Sequence, residues 1–189
     1  MKRSLAIGMA ALVALAAAWA AGQAAPAPAN RAAGSGDFDF LEGKWNIVYN
    51  NSAPGIPPNL KGTWTATKQA DGRVLYDEFR ILGAKGETVS LGASYRVFDN
   101  VRKKWDCRYV QLLLPGDDGD LIKLANWATF TAWPEGSTLR VDQQGDRGAL
   151  RITYYDIAKD HFRWKADASP DGGKTWRADA IRIEATRAP

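Results

Sequence analysis

Residues 37–49 read DFDFLEGKWNIVY, and this stretch marks the start of the folded domain. From Trp45 onward the side chains alternate: Trp45, Ile47 and Tyr49 share one face, whereas Asn46 and Val48 share the other. This period of two predicts a β-strand that begins at Gly43. The spacing of the apolar residues just before it predicts a short turn of helix that leads into the strand.

The chain before this stretch has the pattern of an export signal followed by a spacer. Lys2 and Arg3 precede an apolar run over residues 5–20, and small residues suit cleavage after Ala24. Residues 25–36 are rich in Ala, Pro and Gly, a composition that predicts a disordered spacer. We therefore expect a signal peptide at 1–24, a spacer at 25–36 and one domain at 37–189. The protein would be periplasmic or secreted from a bacterium, with no stable membrane insertion after cleavage.

Charge and cysteine content exclude several classes of site. The formal charge of +4 falls to +2 once Lys2 and Arg3 are removed, with 23 basic and 21 acidic residues left. The tight basic cluster at 102–104 falls at a predicted turn, so we expect no nucleic-acid partner. Cys107 is the only cysteine, so no internal disulfide forms. The one His and one Cys are far apart in sequence, which argues against a zinc site, and we expect no metal. The sequence does not indicate the oligomeric state.

The rest of the chain reads as strand after strand. Turn residues such as Asp71-Gly72 separate alternating runs at the spacing typical of sandwiches and barrels. Beyond the first strand, the predicted strands are 60–69, 73–82, 87–98, 104–114, 121–132, 138–143, 149–157, 161–168 and 176–186. Short connections favour antiparallel neighbours, and closing the sheet removes its edges. We predict an all-β fold, an antiparallel up-and-down (meander) barrel of about 8–10 strands, with a sandwich as the alternative.

Three segments carry a resemblance to a known family. Gly43-Lys44-Trp45 resembles the G-x-W signature of the calycin superfamily, which includes the lipocalins. Together with 95–99, which precedes Trp105, and with 169–176, it is similar to bacterial exported lipocalin-like domains of unknown function. The last segment also matches the Asp-box pattern, a hairpin turn. The resemblance implies a barrel base in which Arg187, or alternatively Arg182, packs across Trp45.

The aromatic side chains of the predicted strands give the main indication of function. Some must fill the barrel, and the others are suited to stack on a flat or apolar ligand. The expected ligand contacts are Tyr95, Trp105, Tyr109, Trp127, Trp164, Glu78 and Arg80. Glu78 and Arg80 share a strand face, and whether that face is the lumen or the outside stays open. We expect an exported protein that holds a small apolar or aromatic molecule in the barrel lumen.

Two other functions stay open. The first is an enzyme, an isomerase or hydrolase, that uses a lumen carboxylate such as Glu78; no nucleophile and base pair can be assembled from the sequence, so no catalytic residue is assigned. The second is a structural or interaction protein of the envelope. No cofactor is expected, although His161, the only histidine, leaves haem ligation as an alternative. His161 follows a predicted turn, which favours a surface position.

Overall fold

The computed structural model describes residues 32–113, 123–145 and 148–189, and within them ten strands form one closed barrel. The predicted signal peptide and residues 25–31 of the predicted spacer lie outside the described residues. The strands are β1 (Gly43–Asn51), β2 (Leu60–Gln69), β3 (Val74–Leu82), β4 (Thr88–Asp99), β5 (Lys104–Leu113), β6 (Lys123–Glu135), β7 (Thr138–Gly145), β8 (Gly148–Tyr155), β9 (His161–Ser169) and β10 (Arg177–Arg187). A 3₁₀ helix, Asp39–Leu41, precedes β1. Among the described residues, no helix has the length and apolar character needed to cross a membrane.

Each strand pairs antiparallel with its neighbour in sequence, and β10 pairs with β1 to close the ring. Trp45 stands opposite Arg187 in that closing pair and opposite Trp64 on its other side. The antiparallel meander barrel predicted from the turn spacing is therefore confirmed, with ten strands. Closure satisfies the backbone hydrogen bonds that an open sheet would leave at its two edges.

The meander gives the barrel two different ends. The closed end, as we call it, carries the 3₁₀ helix, the start of β1 and the end of β10. The opposite end, called the loop end, carries the described connections 52–59, 83–87 and 170–176.

An aromatic cluster fills the closed end. The Phe162 ring lies 4.8 Å from that of Trp45 and 5.6 Å from that of Trp64, centroid to centroid, in edge-on contacts. Phe38, which precedes the 3₁₀ helix, and Leu41, the last residue of the helix, are both fully buried against this cluster. The Trp45 Nε1–H donates to the Leu41 carbonyl at 2.8 Å, so the helix is fixed across the end of the barrel. The short helical turn predicted from the sequence thus forms the plug of the barrel.

The 170–176 connection is a hairpin held by side chains. Asp171 Oδ1 accepts the backbone N–H groups of Lys174 and Thr175 at 3.0 and 2.9 Å. Ser169 Oγ accepts the Gly173 N–H at 2.6 Å. Hydrogen bonds from Thr175 first, then from Ser169 and Lys174, lower the pKa of Asp171 to about 2. The geometry is that of a structural turn.

Candidate functional site

A cavity of about 140 Å³ lies in the lumen between the aromatic plug and the loop end. Its walls are mainly apolar and include Phe79, Phe130, Leu150, Ile152, Trp164 and Ile183. Its polar lining comprises Asp77, Ser94, Arg96, Gln111, Gln143 and the tyrosines 49, 109 and 154. An apolar cavity of about 150 Å³ is large enough to hold benzene. The lumen therefore offers room for about one six-membered ring without rearrangement.

The strongest polar feature of the cavity is an ion pair between Asp77 on β3 and Arg96 on β4. Only 2% of Asp77 and 3% of Arg96 is exposed, and Arg96 Nη1 contacts Asp77 Oδ2. Asp77 Oδ1 accepts the Trp64 Nε1–H at 3.0 Å and the Ser94 hydroxyl at 3.5 Å. Three donors thus surround this carboxylate, as a buried charge requires.

The Arg96 guanidinium is held between aromatic faces. Its Cζ lies 4.9 Å from the Phe38 ring centroid and 5.4 Å from that of Phe130, distances at which cation–π attraction operates. Because Phe38 belongs to the plug, Arg96 marks the closed-end side of the cavity. Among the described residues, no group accepts a hydrogen bond from Arg96 Nε. Tyr154, which also lines the cavity, hydrogen-bonds to the Arg96 side chain, so Asp77, Tyr154 and the two aromatic rings together hold the guanidinium in place.

Three tyrosines add neutral hydroxyl groups to the lining. Burial raises the pKa of Tyr49, of Tyr109 and of Tyr154, so all three stay protonated at neutral pH. The Tyr49 hydroxyl accepts a hydrogen bond from Asn51 Nδ2 at 2.9 Å. Gly92 makes room for Tyr109, because a Cβ on Gly92 would lie 2.5 Å from the Tyr109 hydroxyl oxygen.

Of the predicted ligand contacts on β5, β6 and β9, two line the cavity and one lies in the plug. Tyr109 and Trp164 line the cavity. Trp105 lies in the plug, where its ring meets Phe38 edge-on at 5.0 Å and its Nε1–H donates to the Gly34 carbonyl at 3.2 Å. The side chain of Trp127 lies outside the described part of the structure, although its backbone belongs to β6.

Tyr95, Glu78 and Arg80 lie on the outside of the barrel, so the expectation that they contact a lumen ligand needs correction. Tyr95 is 52% exposed, and its ring packs against that of Tyr76 at 5.0 Å. Arg80 Nε donates to Glu78 Oε1 at 2.6 Å, forming an exposed surface pair. Apart from Phe98, which packs against Trp105, strand β4 turns small and polar side chains inward, where Tyr109 and the Asp77 carboxylate occupy the space, and apolar side chains outward.

The barrel-base residues named from the resemblance meet at the closed end. Arg187 Cζ lies 4.0 Å from the Trp45 ring centroid. Its Nη1 donates to the Glu42 carbonyl at 2.9 Å and its Nε to the Lys159 carbonyl at 2.7 Å. Gly43 has φ +114°, and a Cβ there would lie 2.6 Å from Arg187 Nη1. Arg187, the last residue of β10, thus links the start of β1 to the 156–160 connection that precedes β9.

The remaining candidates for chemistry lie away from the cavity lining. His161 is at the closed end, with Nδ1 2.9 Å from Asp160 Oδ1 and Nε2 3.5 Å from Asp156 Oδ1. The hydrogen bond with Asp160 is the main cause that raises the pKa of His161. Cys107 is buried on β5, and burial raises the pKa of its thiol to about 12. That thiol is protonated at neutral pH, so it is a poor nucleophile.

Sequence reasoning missed the three polar residues that define the cavity: Asp77, Ser94 and Arg96. Asp77 shares its face of β3 with Leu75, Phe79 and Ile81, all of which point into the barrel. The available signal was a charged residue on the same face of an alternating strand as three apolar residues. Such a position indicates a buried charge that has a partner.

Fold and site together define a closed ten-stranded antiparallel barrel with a small internal cavity, consistent with a lipocalin-like fold. No protein-family model matches the sequence, and no curated protein matches it either.

Proposed function

We propose that the protein is a bacterial exported, lipocalin-like binding protein that holds a small apolar or aromatic molecule in its lumen. The observation that carries this proposal is the cavity of about 140 Å³, with apolar walls and one buried ion pair. Binding sites for small molecules commonly combine apolar walls with a few fixed polar groups. Export is supported by the sequence pattern of residues 1–24.

The arrangement of Asp77 favours binding over catalysis. A general base needs a lone pair free to take a proton from the substrate. Asp77 Oδ1 is engaged by Trp64 and Ser94, and Oδ2, which contacts Arg96, is buried too deeply for a substrate proton to reach it. The pair is therefore suited to orient a ligand. Glu78, the carboxylate considered for an enzyme, lies on the outer face next to Arg80.

The test is calorimetric or NMR titration with single-ring probes such as benzene and toluene. Leu150→Phe places an added ring in the cavity wall, whereas Leu91→Phe adds the same ring on the outer face of β4. Wild type and Leu91→Phe should bind the probes, and Leu150→Phe should bind at least about tenfold more weakly. The proposal is contradicted if wild type does not bind the probes up to their solubility limit, or if the two variants bind them equally well.

A second candidate function, an interaction protein, is favoured by the outer face of β4. Val89, Tyr95 and Val97 are 40%, 52% and 43% exposed on one face of this strand. Charges of both signs border them, which suits association with a second copy of the same chain. Sedimentation velocity over a concentration series tests this function. Self-association that Tyr95→Lys abolishes would support it, and a monomer at every concentration would exclude such a dimer.

A further inference from the structure

Two tyrosines form a pair on the outer face of the barrel. Tyr76 on β3 stands directly opposite Tyr95 on β4, and their ring centroids lie 5.0 Å apart with the ring planes tilted by 47°. Tyr95 is 52% exposed and Tyr76 is half-buried, so the pair faces solvent. All six tyrosines belong to the described strands, and among their side chains only these two rings contact each other. The outer face thus presents two phenols in contact.

From this geometry we propose that Tyr76 and Tyr95 are an oxidative modification site, where a peroxide-dependent one-electron oxidant, such as a haem peroxidase, joins the two rings into a dityrosine. Each phenol gives up one electron and one proton, and the two radicals form a bond between ring carbons ortho to the oxygens. The ortho hydrogens then move to the oxygens, which restores both aromatic rings and both hydroxyl groups. Hydrogen peroxide takes up the two electrons and two protons and becomes two molecules of water. The protein loses two hydrogen atoms and gains one carbon–carbon bond.

The strand register favours coupling within one molecule over coupling between molecules. Directly opposed side chains of an antiparallel pair have Cβ atoms about 4.5–5.5 Å apart. Because the two rings are already in contact, rotation of the side chains is enough to bring two ortho carbons together. A reactant held at such close range has an effective concentration far above that of a second molecule in solution.

The new bond would fix the strand register beside the buried ion pair. Tyr76 directly precedes Asp77, and Tyr95 directly precedes Arg96, so the cross-link lies on the outer side of the wall that carries this pair. It would close a loop through the 83–87 connection and so restrict the unfolded chain, as a disulfide does. Since the chain has a single cysteine and forms no internal disulfide, the tyrosine pair would supply a covalent link that the cysteine content does not.

Treatment of the purified protein with a haem peroxidase and hydrogen peroxide tests the inference, which does not depend on ligand binding. We expect monomers that have lost two hydrogen atoms, dityrosine fluorescence, and a cross-linked peptide pair that contains Tyr76 and Tyr95. Tyr76→Phe and Tyr95→Phe should each abolish this cross-link, because phenylalanine has no phenol to oxidise. Tyr155→Phe, which removes a half-buried tyrosine of β8, should leave it unchanged.

The stability of the treated protein gives a second measurement. Each Tyr→Phe change removes one oxygen atom from the outer face, so the variants should fold. The unfolding midpoint of treated wild type should be several degrees above that of equally treated Tyr95→Phe, because only wild type carries the cross-link.

Three results would overturn the inference. The first is a wild-type monomer that forms no internal cross-link, and the second is a cross-link that persists in Tyr95→Phe. The third is dityrosine found only in covalent dimers, which would instead place Tyr95 at an interface between two copies of the chain.

Discussion

The closed end and the middle of the barrel are lined by the same kinds of side chain but are packed differently. At the closed end, Phe162 is fully buried and its ring meets four other aromatic rings. Further towards the loop end, Phe79 is only half-buried, and its ring meets those of Tyr49 and Trp64 beside the cavity. One half of the lumen is a packed core, and the other half leaves room for a guest.

This difference separates stability from binding along the barrel axis. When a side chain in a packed interior is shortened, the protein loses van der Waals contacts and the favourable transfer free energy of the buried apolar atoms. A side chain that borders existing space makes fewer such contacts, so shortening it costs less stability. The Asp77–Arg96 pair lies where the two regions meet, because Arg96 contacts Phe38 on one side and lines the cavity on the other. Substitutions in the two regions should therefore have different consequences.

The largest contrast should come from truncating one phenylalanine in each region. We expect Phe162→Ala to lower the free energy of unfolding by about 3–5 kcal/mol, because it opens a void in the closed-end cluster. Phe79→Ala should cost at least about 1.5 kcal/mol less, since its ring already borders the cavity. Urea denaturation of the two variants measures both values. Equal losses would show that the two regions are packed alike.

Breaking the ion pair at the boundary should rank next. Arg96→Met leaves Asp77 buried without its partner, and we expect a loss of about 3 kcal/mol in the free energy of unfolding. Adding Asp77→Asn removes the orphaned charge, so the double variant should be more stable than Arg96→Met alone. The same denaturation series checks this. Additive losses from the two substitutions would contradict a coupled pair.

A smaller loss is expected from Gly43→Ala at the closed end. An alanine at φ +114° is strained, and its Cβ would displace Arg187 Nη1 from its place beside Glu42. We expect about 1–3 kcal/mol of destabilisation in thermal or urea unfolding. Gly55→Ala is the matched control, because Gly55 also has a positive φ, +82°, but no atom of the described residues lies within 4 Å of the added Cβ. Equal destabilisation by the two substitutions would mean that the Arg187 side chain can move away from the added Cβ without loss of stability.

The smallest effect concerns the pH dependence of the closed end. The folded pKa of His161 is raised above 6.5 by its hydrogen bond with Asp160 and by the nearby Asp156. Its contribution to stability is therefore complete below the unfolded pKa and is lost as pH rises through the folded pKa. The unfolding midpoint should fall slightly between about pH 5.5 and about pH 8.5. The same scan on His161→Gln should lack this fall, and a midpoint that rises with pH in wild type alone would reverse the assignment.

The fold was predictable from the sequence because its determinants are local. Turn residues such as Asp71-Gly72 and strict alternation after Trp45 set the number and direction of the strands. A meander joins neighbours in sequence, so short-range signals are enough to define its topology. The described strands accordingly begin and end close to the positions expected from the turns.

The inner face of the strands was harder to predict because it depends on contacts between distant residues. Strand β4 presents Val89, Leu91 and Val97 on one face, and a rule that places apolar residues inside would turn that face inward. The lumen instead receives Arg96, because Asp77 on the neighbouring strand supplies its counter-charge. The space opposite Gly92 is filled by Tyr109. Neither partner can be identified without knowing the register of the strands.

The buried Cys107 allows the opening of the barrel to be followed by thiol labelling. A thiol reagent cannot reach this side chain while β5 is paired with β4 and β6 on either side. Because it is the only cysteine, each labelling event records one opening of the ring in one molecule. Labelling rates with and without a guest in the lumen would then report how much more slowly the occupied barrel opens.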